Sequence, residues 1–400
     1  MAAWAPLSAD EQLGIVYVPT SAPTISYYGG HRPGDNLYSD SLLALDAASG
    51  KLRWYFQMVH HDLWDYDNAS APTLGDISVG GQRIPVVIQP NKSGFLFVFD
   101  RRSGKPVWPI EERAVPQPIL PGEQASPTQP FPTKPPPIDR QGITASDLID
   151  FTPALHAEAE KFMQAYVTGP IFTPPSLAAD PATGKKGTLA MPGVWGSQNW
   201  NTGAFDPDSG IYYAVSMTLP TIYGMDAAPP GHAEGKAAFG ISDYRTYEDM
   251  EKTPYGPAPV GLQNLPLLKP PYGRITAVDM NHGEQLWVVA NGDGPRNHPL
   301  LQSLNLPPLG TIGRPAPLVT KTLLFLGESS DSVMGGAGIA GPAHLFAYDK
   351  ATGARLWQTQ LPAGTTGGPI SYQVRGRQFI VVPIGGANYG SAWVAFALKP

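Results

Sequence analysis

The chain contains no cysteine in 400 residues, which excludes disulfides and thiolate-metal sites from its fold and chemistry. Charge is also scarce. Asp, Glu, Lys and Arg make up 15% of the residues, and the formal net charge is -6. Phosphate binding needs a basic stripe, so nucleic acid is excluded as a partner. No apolar run reaches the roughly 18–20 residues that span a bilayer. The opening ten residues have neither the basic nor the apolar region of a signal peptide. The expectation is a chain with no targeting or transmembrane segment of its own. What is plentiful is Gly (44) and Pro (45), beside an apolar fraction of 42%. With no collagen-like period to organise them, they imply many short strands joined by turns.

One internal repeat gives those strands an order. Residues 44–54 (ALDAASGKLRW), 98–108 (VFDRRSGKPVW), 277–287 (AVDMNHGEQLW) and 347–357 (AYDKATGARLW) share one pattern. Asp is followed by three residues, Gly, three residues and Trp: Asp46/Gly50/Trp54, Asp100/Gly104/Trp108, Asp279/Gly283/Trp287 and Asp349/Gly353/Trp357. A strand ends at the Asp, whose carboxylate can accept backbone N–H bonds inside the turn. Gly supplies a positive φ that a Cβ resists. The next strand then carries the Trp inward by two-residue alternation, where an indole suits packing between sheets. The expected fold class is all-β, a propeller of tandem blades.

Further strands are expected after Asp10 and Asp206, each followed four residues on by Gly14 or Gly210, and at the apolar runs 84–88, 323–326, 379–383 and 393–398. Grouping them gives about four blades and part of a fifth. Two insertions interrupt the set, at 109–190 and 218–268. Residues 109–150 are Pro-rich and are expected to run as extended, polyproline-like surface chain. Residues 152–168 read as a helix, with Thr152 as N-cap, Pro153 first, and Leu155, Phe162, Met163 and Tyr166 on one face.

The densest chemistry is His60-His61-Asp62-Leu63-Trp64-Asp65-Tyr66-Asp67. Two readings stand at this point. The cluster is a hydrogen-bonded turn, or it serves as proton acceptor, metal ligand or substrate clamp. A zinc site is disfavoured, because adjacent histidines on a strand point to opposite faces. A tight loop holding Lys92 (Gln89-Pro90-Asn91-Lys92-Ser93-Gly94) precedes the second repeat, and Arg101 and Arg102 lie in its turn. Both read as solvated turn residues when taken alone.

In context, WYFQMVHHDLWDYD, PNKSGFLFVFDRRSGKPVWPIEERAVPQ, SPTQPF, IFTPPS, PGVWGSQNW and LPAGTTGGPISYQVRGRQFIVVPIGG together resemble the membrane-associated quinoprotein glucose, polyol and quinate dehydrogenases, in order and spacing along nearly the whole chain. The resemblance implies about five blades of an eight-bladed propeller. It also implies oxidation of a sugar or alcohol C–OH with pyrroloquinoline quinone (PQQ) and a divalent metal, calcium or magnesium. Electrons would pass to a membrane quinone or a cytochrome, in the periplasm. Carried over position by position, Asp65 matches the general base and Lys92 the residue reaching the quinone oxygens. His61 and Asp62 lie beside the base and orient it or the substrate. Asp67 could add a carboxylate to the metal.

Three departures temper the match. The family's main metal ligands and the aromatic floor under PQQ come from blades that precede this stretch, so the chain is expected to be a partial propeller, 1–400, whose N-terminal blades lie elsewhere. Val215-Ser216-Met217 stand where relatives often have Asn. Gly390-Ser391-Ala392-Trp393 lacks the Asp of glucose-type enzymes. A non-catalytic propeller scaffold and a degenerate relative are therefore the competing readings.

Overall fold

A computed structural model describes residues 2–24, 26–227, 244–248, 262–329, 343–386 and 389–398. Much of the expected 218–268 insertion, at 228–243 and 249–261, lies outside the described residues. The chain divides into two compact units, Met1–Trp200 with Leu219–Lys269, and Asn201–Thr218 with Pro270–Pro400.

In the first unit, strands Ser8–Asp10, Ile15–Pro19, Ser41–Asp46 and Leu52–Gln57 form a four-stranded antiparallel sheet in chain order. Thr73–Val79, Gln82–Pro90 and Leu96–Asp100 form a three-stranded sheet beside it. A mixed sheet gathers Ser176–Leu177, Thr188–Ala190 and Tyr244–Glu248 around Thr221–Ala227. The second unit holds two antiparallel four-stranded sheets. One is Ala204–Asp206, Ile211–Met217, Gly273–Asp279 and Glu284–Ala290; the other is Leu318–Val319, Leu323–Gly327, His344–Asp349 and Arg355–Gln360. A three-stranded sheet of Ile370–Val374, Arg377–Gly386 and Tyr389–Ala397 completes it.

The repeat turns are close copies. Each Gly N–H donates to the carbonyl of its Asp at 2.8 Å (Gly50, Gly104, Gly283 and Gly353), and all four glycines have positive φ. Asp180 and Gly184 build the same turn at 2.8 Å without a Trp to announce it. Proline alters the second copy. Pro106 offers no N–H to a ladder, so past an isolated bridge to Phe99 no fourth strand forms and Trp108 lies outside any strand.

Packing between sheets repeats as faithfully. A Cβ on Gly104 would sit 2.6 Å from the Trp54 ring, and one on Gly353 would sit 2.8 Å from Trp287. Trp54 and Trp287 therefore each lie on the turn glycine of the next sheet. Tyr17 and Tyr213 flank Trp54 and Trp287 at 5.9 Å between ring centroids. Their hydroxyls donate to the carbonyls of Arg101 (2.7 Å) and Lys350 (3.0 Å). Arg101 pairs with Asp10, and Lys350 with Asp206, both at 2.6 Å. The bland reading of Arg101 as a solvated turn residue is corrected: it is an inter-sheet clasp. Burying one such aromatic is worth about 1.5–3 kcal/mol. The inward placement expected of every repeat Trp fails at Trp357, which is 43% exposed. The sheet that follows it has Arg375-Gly376 at its hairpin turn and no Asp–Gly repeat to receive the indole.

The insertions also differ from expectation. Ile110–Ala114 pairs with Thr128–Pro132 as an antiparallel hairpin, so this part of 109–150 is not polyproline-like chain. An isolated two-stranded ribbon has an unpaired edge on each side, which tolerates Pro130 and Pro132. Nor is it surface decoration, because Gln129 is fully buried. The helix spans Pro153–Met163, shorter than expected. Thr152 caps it by accepting from Leu155 N at 3.2 Å, and Leu155 and Ala159 face inward. Past Met163 the amides of Ala165 and Tyr166 bond back three residues, tightening the chain before Val167 bridges Thr188.

Candidate active site

The acidic cluster lies between the first two sheets of the first unit, and its backbone is shaped by its own side chains. Asp62 is fully buried and accepts from the amides of Trp64 and Tyr66, each at 2.7 Å. His61 and Asp65 both take positive φ, +45° and +61°. Such backbone is costly for residues with a Cβ and persists where surroundings over-determine it. The surroundings are visible. Trp64 donates its indole N–H to Thr173 O at 2.8 Å, and Tyr66 donates its hydroxyl to Pro192 O at 2.7 Å. Tyr223 donates to Trp64 O at 3.0 Å. The short motifs at 171–176 and 192–200 thus act as a mould for the loop.

The loop presents Asp65 and Asp67 to Lys92. Nζ stands 2.6 Å from Asp65 Oδ2 and 2.7 Å from Asp67 Oδ2. The Lys92 side chain is 6% exposed, Asp67 7% and Asp65 23%, so of the three Asp65 is the most open to solvent. Asp67 also accepts from Ala22 N at 2.7 Å, and Ser26 donates to Asp65 Oδ1 at 3.3 Å. Lys92 is fixed from behind, where its carbonyl accepts from Ser197 N at 2.9 Å. A Cβ on Gly196 would meet the Lys92 stem at 2.5 Å, so glycine is required there on contact as well as on its φ of +73°.

Electrostatics set three carboxyls apart from ordinary aspartates. Burial pushes Asp62 up to about 7, with Asp65 and Asp67 adding to the rise and the two backbone N–H bonds opposing it. Burial likewise raises Asp65 to about 6, against the pull of the Lys92 ammonium. Asp40 is raised well above the carboxylate range by burial, reinforced by Asp62 and Asp67. Burial acts against the Lys92 ammonium too, but Asp65 and Asp67 outweigh it and hold Lys92 above its ordinary value. A carboxylate poised near neutrality beside a fixed cation can take up a proton and hold it.

Of the residues expected from sequence, Asp65, Asp67 and Lys92 are brought together, and Asp62 supports them through the backbone. His61 is not directed at Asp65, because its ring nitrogens face Gly34 O at 2.7 Å and Glu123 Oε1 at 3.1 Å. His60 turns to Gln57 and Glu112, so the adjacent imidazoles serve separate networks. Ser26, Asp40, Glu123 and Gln129 were not singled out from sequence. Gln129 brackets His60, accepting from its N–H at 2.8 Å and donating to its carbonyl at 2.6 Å. The signal for it lay inside the SPTQPF motif.

Several buried polar atoms here find no hydrogen-bond partner among the described residues: both amide atoms of Asn68, Asn91 Nδ2, Ser197 Oγ and both oxygens of Asp40. Beside an ammonium, such donors and acceptors suit a polar, oxygen-rich ligand such as a quinone. A metal fits less well. The oxygen donors are right in kind for a hard cation, yet among the described residues no three His, Asp or Glu groups stand together as ligands.

Comparison with known proteins gives the site its context. The profile of the PQQ family, described as glucose/ethanol/alcohol dehydrogenase, beta-propeller domain, matches residues 1–380. The quinoprotein glucose dehydrogenase of Escherichia coli is 34% identical over 99% of this chain and 49% of its own length. The glycerol dehydrogenase large subunit of Gluconobacter oxydans is 34% identical over 96% of this chain and 52% of its own. The chain thus spans about half the length of these relatives. Among solved structures, the quinohemoprotein alcohol dehydrogenase of Comamonas testosteroni aligns with a TM-score of 0.61 at 22% identity, over 99% of this chain and 48% of that one, a likeness of fold. The four-fold Asp–Gly–Trp repeat and the profile match agree: this chain belongs to the PQQ-type β-propeller family of glucose, ethanol and alcohol dehydrogenases.

Proposed function

We propose that this chain carries the proton-accepting part of a PQQ-dependent dehydrogenase active site that oxidises a sugar, polyol or related alcohol. The observation that carries the reading is the bridge from Lys92 to Asp65 and Asp67, buried at one end and open at Asp65. Asp65 takes the hydroxyl proton as the carbon is oxidised, and its elevated proton affinity suits that task. Lys92 is the residue that would hold a bound quinone, and its fixed positive charge would favour the reduced, anionic form. PQQ, when bound, supplies the two-electron acceptor that side chains lack. Asp62 keeps the loop in register, and the mould around Trp64 and Tyr66 keeps it dry.

A divalent ion, calcium or magnesium, belongs to the same reading. Asp67 is its candidate ligand in this chain, and the remaining donors come from elsewhere. The relatives act on glucose and glycerol by their names, which supports a polyhydroxy substrate. A membrane quinone or cytochrome is the proposed electron acceptor, with the reaction in the periplasm. Among the described residues no helix is long and apolar enough to cross a membrane.

Two measurements test this. Titration with PQQ and calcium asks whether the chain binds the cofactor tightly by itself, as a complete site would, or weakly, as a partial one would. In the holoenzyme, Asp65→Asn should lower dye-linked alcohol oxidation by about 10²–10⁴-fold while PQQ stays bound. Turnover at the wild-type rate would remove Asp65 from the role of base.

A further inference from the structure

The Pro-rich segment between the hairpin strands, residues 115–127, meets the acidic turn at Glu123. Glu123 has a side chain 1% exposed, and it faces the equally buried ring of His61 at 3.1 Å. His61 Nδ1 lies 2.7 Å from Gly34 O, and a carbonyl only accepts, so Nδ1 carries a hydrogen. The Glu123 carboxylate accepts from Gly29 N at 2.5 Å and Gln124 N at 2.9 Å. Burial acts against its ionised form, but the bonds from His61, Gly29 and Gln124 prevail and hold Glu123 below its ordinary value. The ring is gripped on both sides, by Gly34 O at Nδ1 and by the Glu123 carboxylate at Nε2.

The grip joins three segments. Gly29 and Gly34 belong to the loop 26–36, which delivers Ser26 to Asp65 and sends the Arg32 guanidinium to the carbonyls of Asp62 (2.5 Å) and Ser26 (3.4 Å). His61 itself opens the strained turn that ends at Asp65. Contact is close throughout. A Cβ on Gly29 would fall 2.0 Å from His61 Nε2, and one on Gly122 would fall 2.5 Å from the Tyr28 hydroxyl. That hydroxyl donates to Pro121 O at 3.0 Å.

We propose that Glu123 is a positioning residue for Asp65, acting through His61 to lock the loop 26–36 and the acidic turn into one arrangement. The proposal rests on the reading of Asp65 as the base. Removing Glu123 frees both the His61 ring and the Gly29 amide, so Asp65 loses the support of Ser26 without losing its own carboxylate.

The test compares Glu123→Ala with Glu123→Gln, because Gln can still accept from Gly29 and hydrogen-bond the His61 ring. In the holoenzyme, Glu123→Ala should lower kcat by about 10–100-fold with KM little changed, and Glu123→Gln should restore most of it. Hydrogen exchange at the Gly29 amide should accelerate in Glu123→Ala alone. An unchanged Gly29 exchange rate in Glu123→Ala overturns the clamp. Unchanged kcat in Glu123→Ala, beside an inactive Asp65→Asn, overturns the positioning role and leaves the proposed function standing. Turnover retained in Asp65→Asn overturns both, and the Gly29 exchange rate still reports whether the clamp exists.

Discussion

Replacing Lys92 with Met removes one charge and strands two. In the wild type, Nζ holds Asp65 and Asp67 at 2.6 and 2.7 Å inside a nearly dry pocket. Breaking a buried ion pair from one side typically costs about 3–5 kcal/mol. Asp65 can escape by taking a proton, which makes the penalty depend on pH. Lys92 is held above its ordinary value, so its stabilisation is complete below 10.5 and does not vary between pH 5 and 8. Asp65 is raised from 3.8 to about 6, so the stability it contributes is fully present below 3.8 and is lost as pH rises through about 6. At about 1.4 kcal/mol per pH unit, that loss reaches about 3 kcal/mol by pH 8 in the wild type. Without Lys92 the carboxyl clings to its proton further. The stability gap between wild type and Lys92→Met should then be smallest at pH 5, where Asp65 holds its proton and the lost packing of the stem and the lost partner of Asp67 remain. It should widen toward about 3–5 kcal/mol at pH 8. Urea unfolding at pH 5, 6, 7 and 8 measures the gap directly. A gap of the same size at every pH would refute the electrostatic account of this pair.

Three other outcomes are expected. Gly50→Ala and Gly104→Ala share a positive φ, but a Cβ meets nothing within 4 Å at Gly50 and the Trp54 ring at 2.6 Å at Gly104. Unfolding free energies should show a loss of about 1 kcal/mol at Gly50 and at least ~1 kcal/mol more at Gly104; equal losses would deny the packing of indole on glycine. Trp54→Ala should cost about 3–5 kcal/mol, whereas Trp357→Ala, at a side chain 43% exposed, should cost less than about 1 kcal/mol by the same measurement. Gln129→Ala, which leaves the half-buried N–H and carbonyl of His60 without their Gln129 partner, should destabilise by about 1 kcal/mol and speed hydrogen exchange at His60; unaltered exchange would place the hold on His60 elsewhere.

How much of this was legible depended on range. The Asp–Gly–Trp turns are written in consecutive residues, so spacing alone exposed four of them. The turn at Asp180 and Gly184 escaped because its Trp, the conspicuous letter, is absent. Asp65 and Asp67 stood out by chemistry and by resemblance, and Lys92 by resemblance alone. Glu123 and Gln129 did not, since they meet His61 and His60 across 62 and 69 residues of chain. No local pattern encodes such a meeting. The proline count of 109–150 pointed to extended surface chain, and the alternation in Ile110–Ala114 was too brief to contradict it. His61 was read by its neighbours in sequence, yet its partners come from two other loops. Short-range chemistry predicted which residues matter, while long-range packing decided what each one does.

The clasp formed by Asp10 with Arg101, and again by Asp206 with Lys350, bears on how such an array can change over generations. Each basic residue directly follows a repeat Asp, and each acidic partner stands four positions ahead of a strand-opening glycine. Lock and key are thus printed in different modules: the sheets that carry Asp10 and Asp206 have Ala47 and Met280 where the basic residue would stand. A duplicated sheet would bring only one member of the clasp, whereas duplication of two adjacent sheets would bring a complete one. Arg at one junction and Lys at the other show that the key tolerates recutting while the lock remains Asp. Growth or loss by pairs of sheets then requires no compensating charge elsewhere, whereas loss of one sheet, or a change to a single member, leaves the distant partner without its counterion.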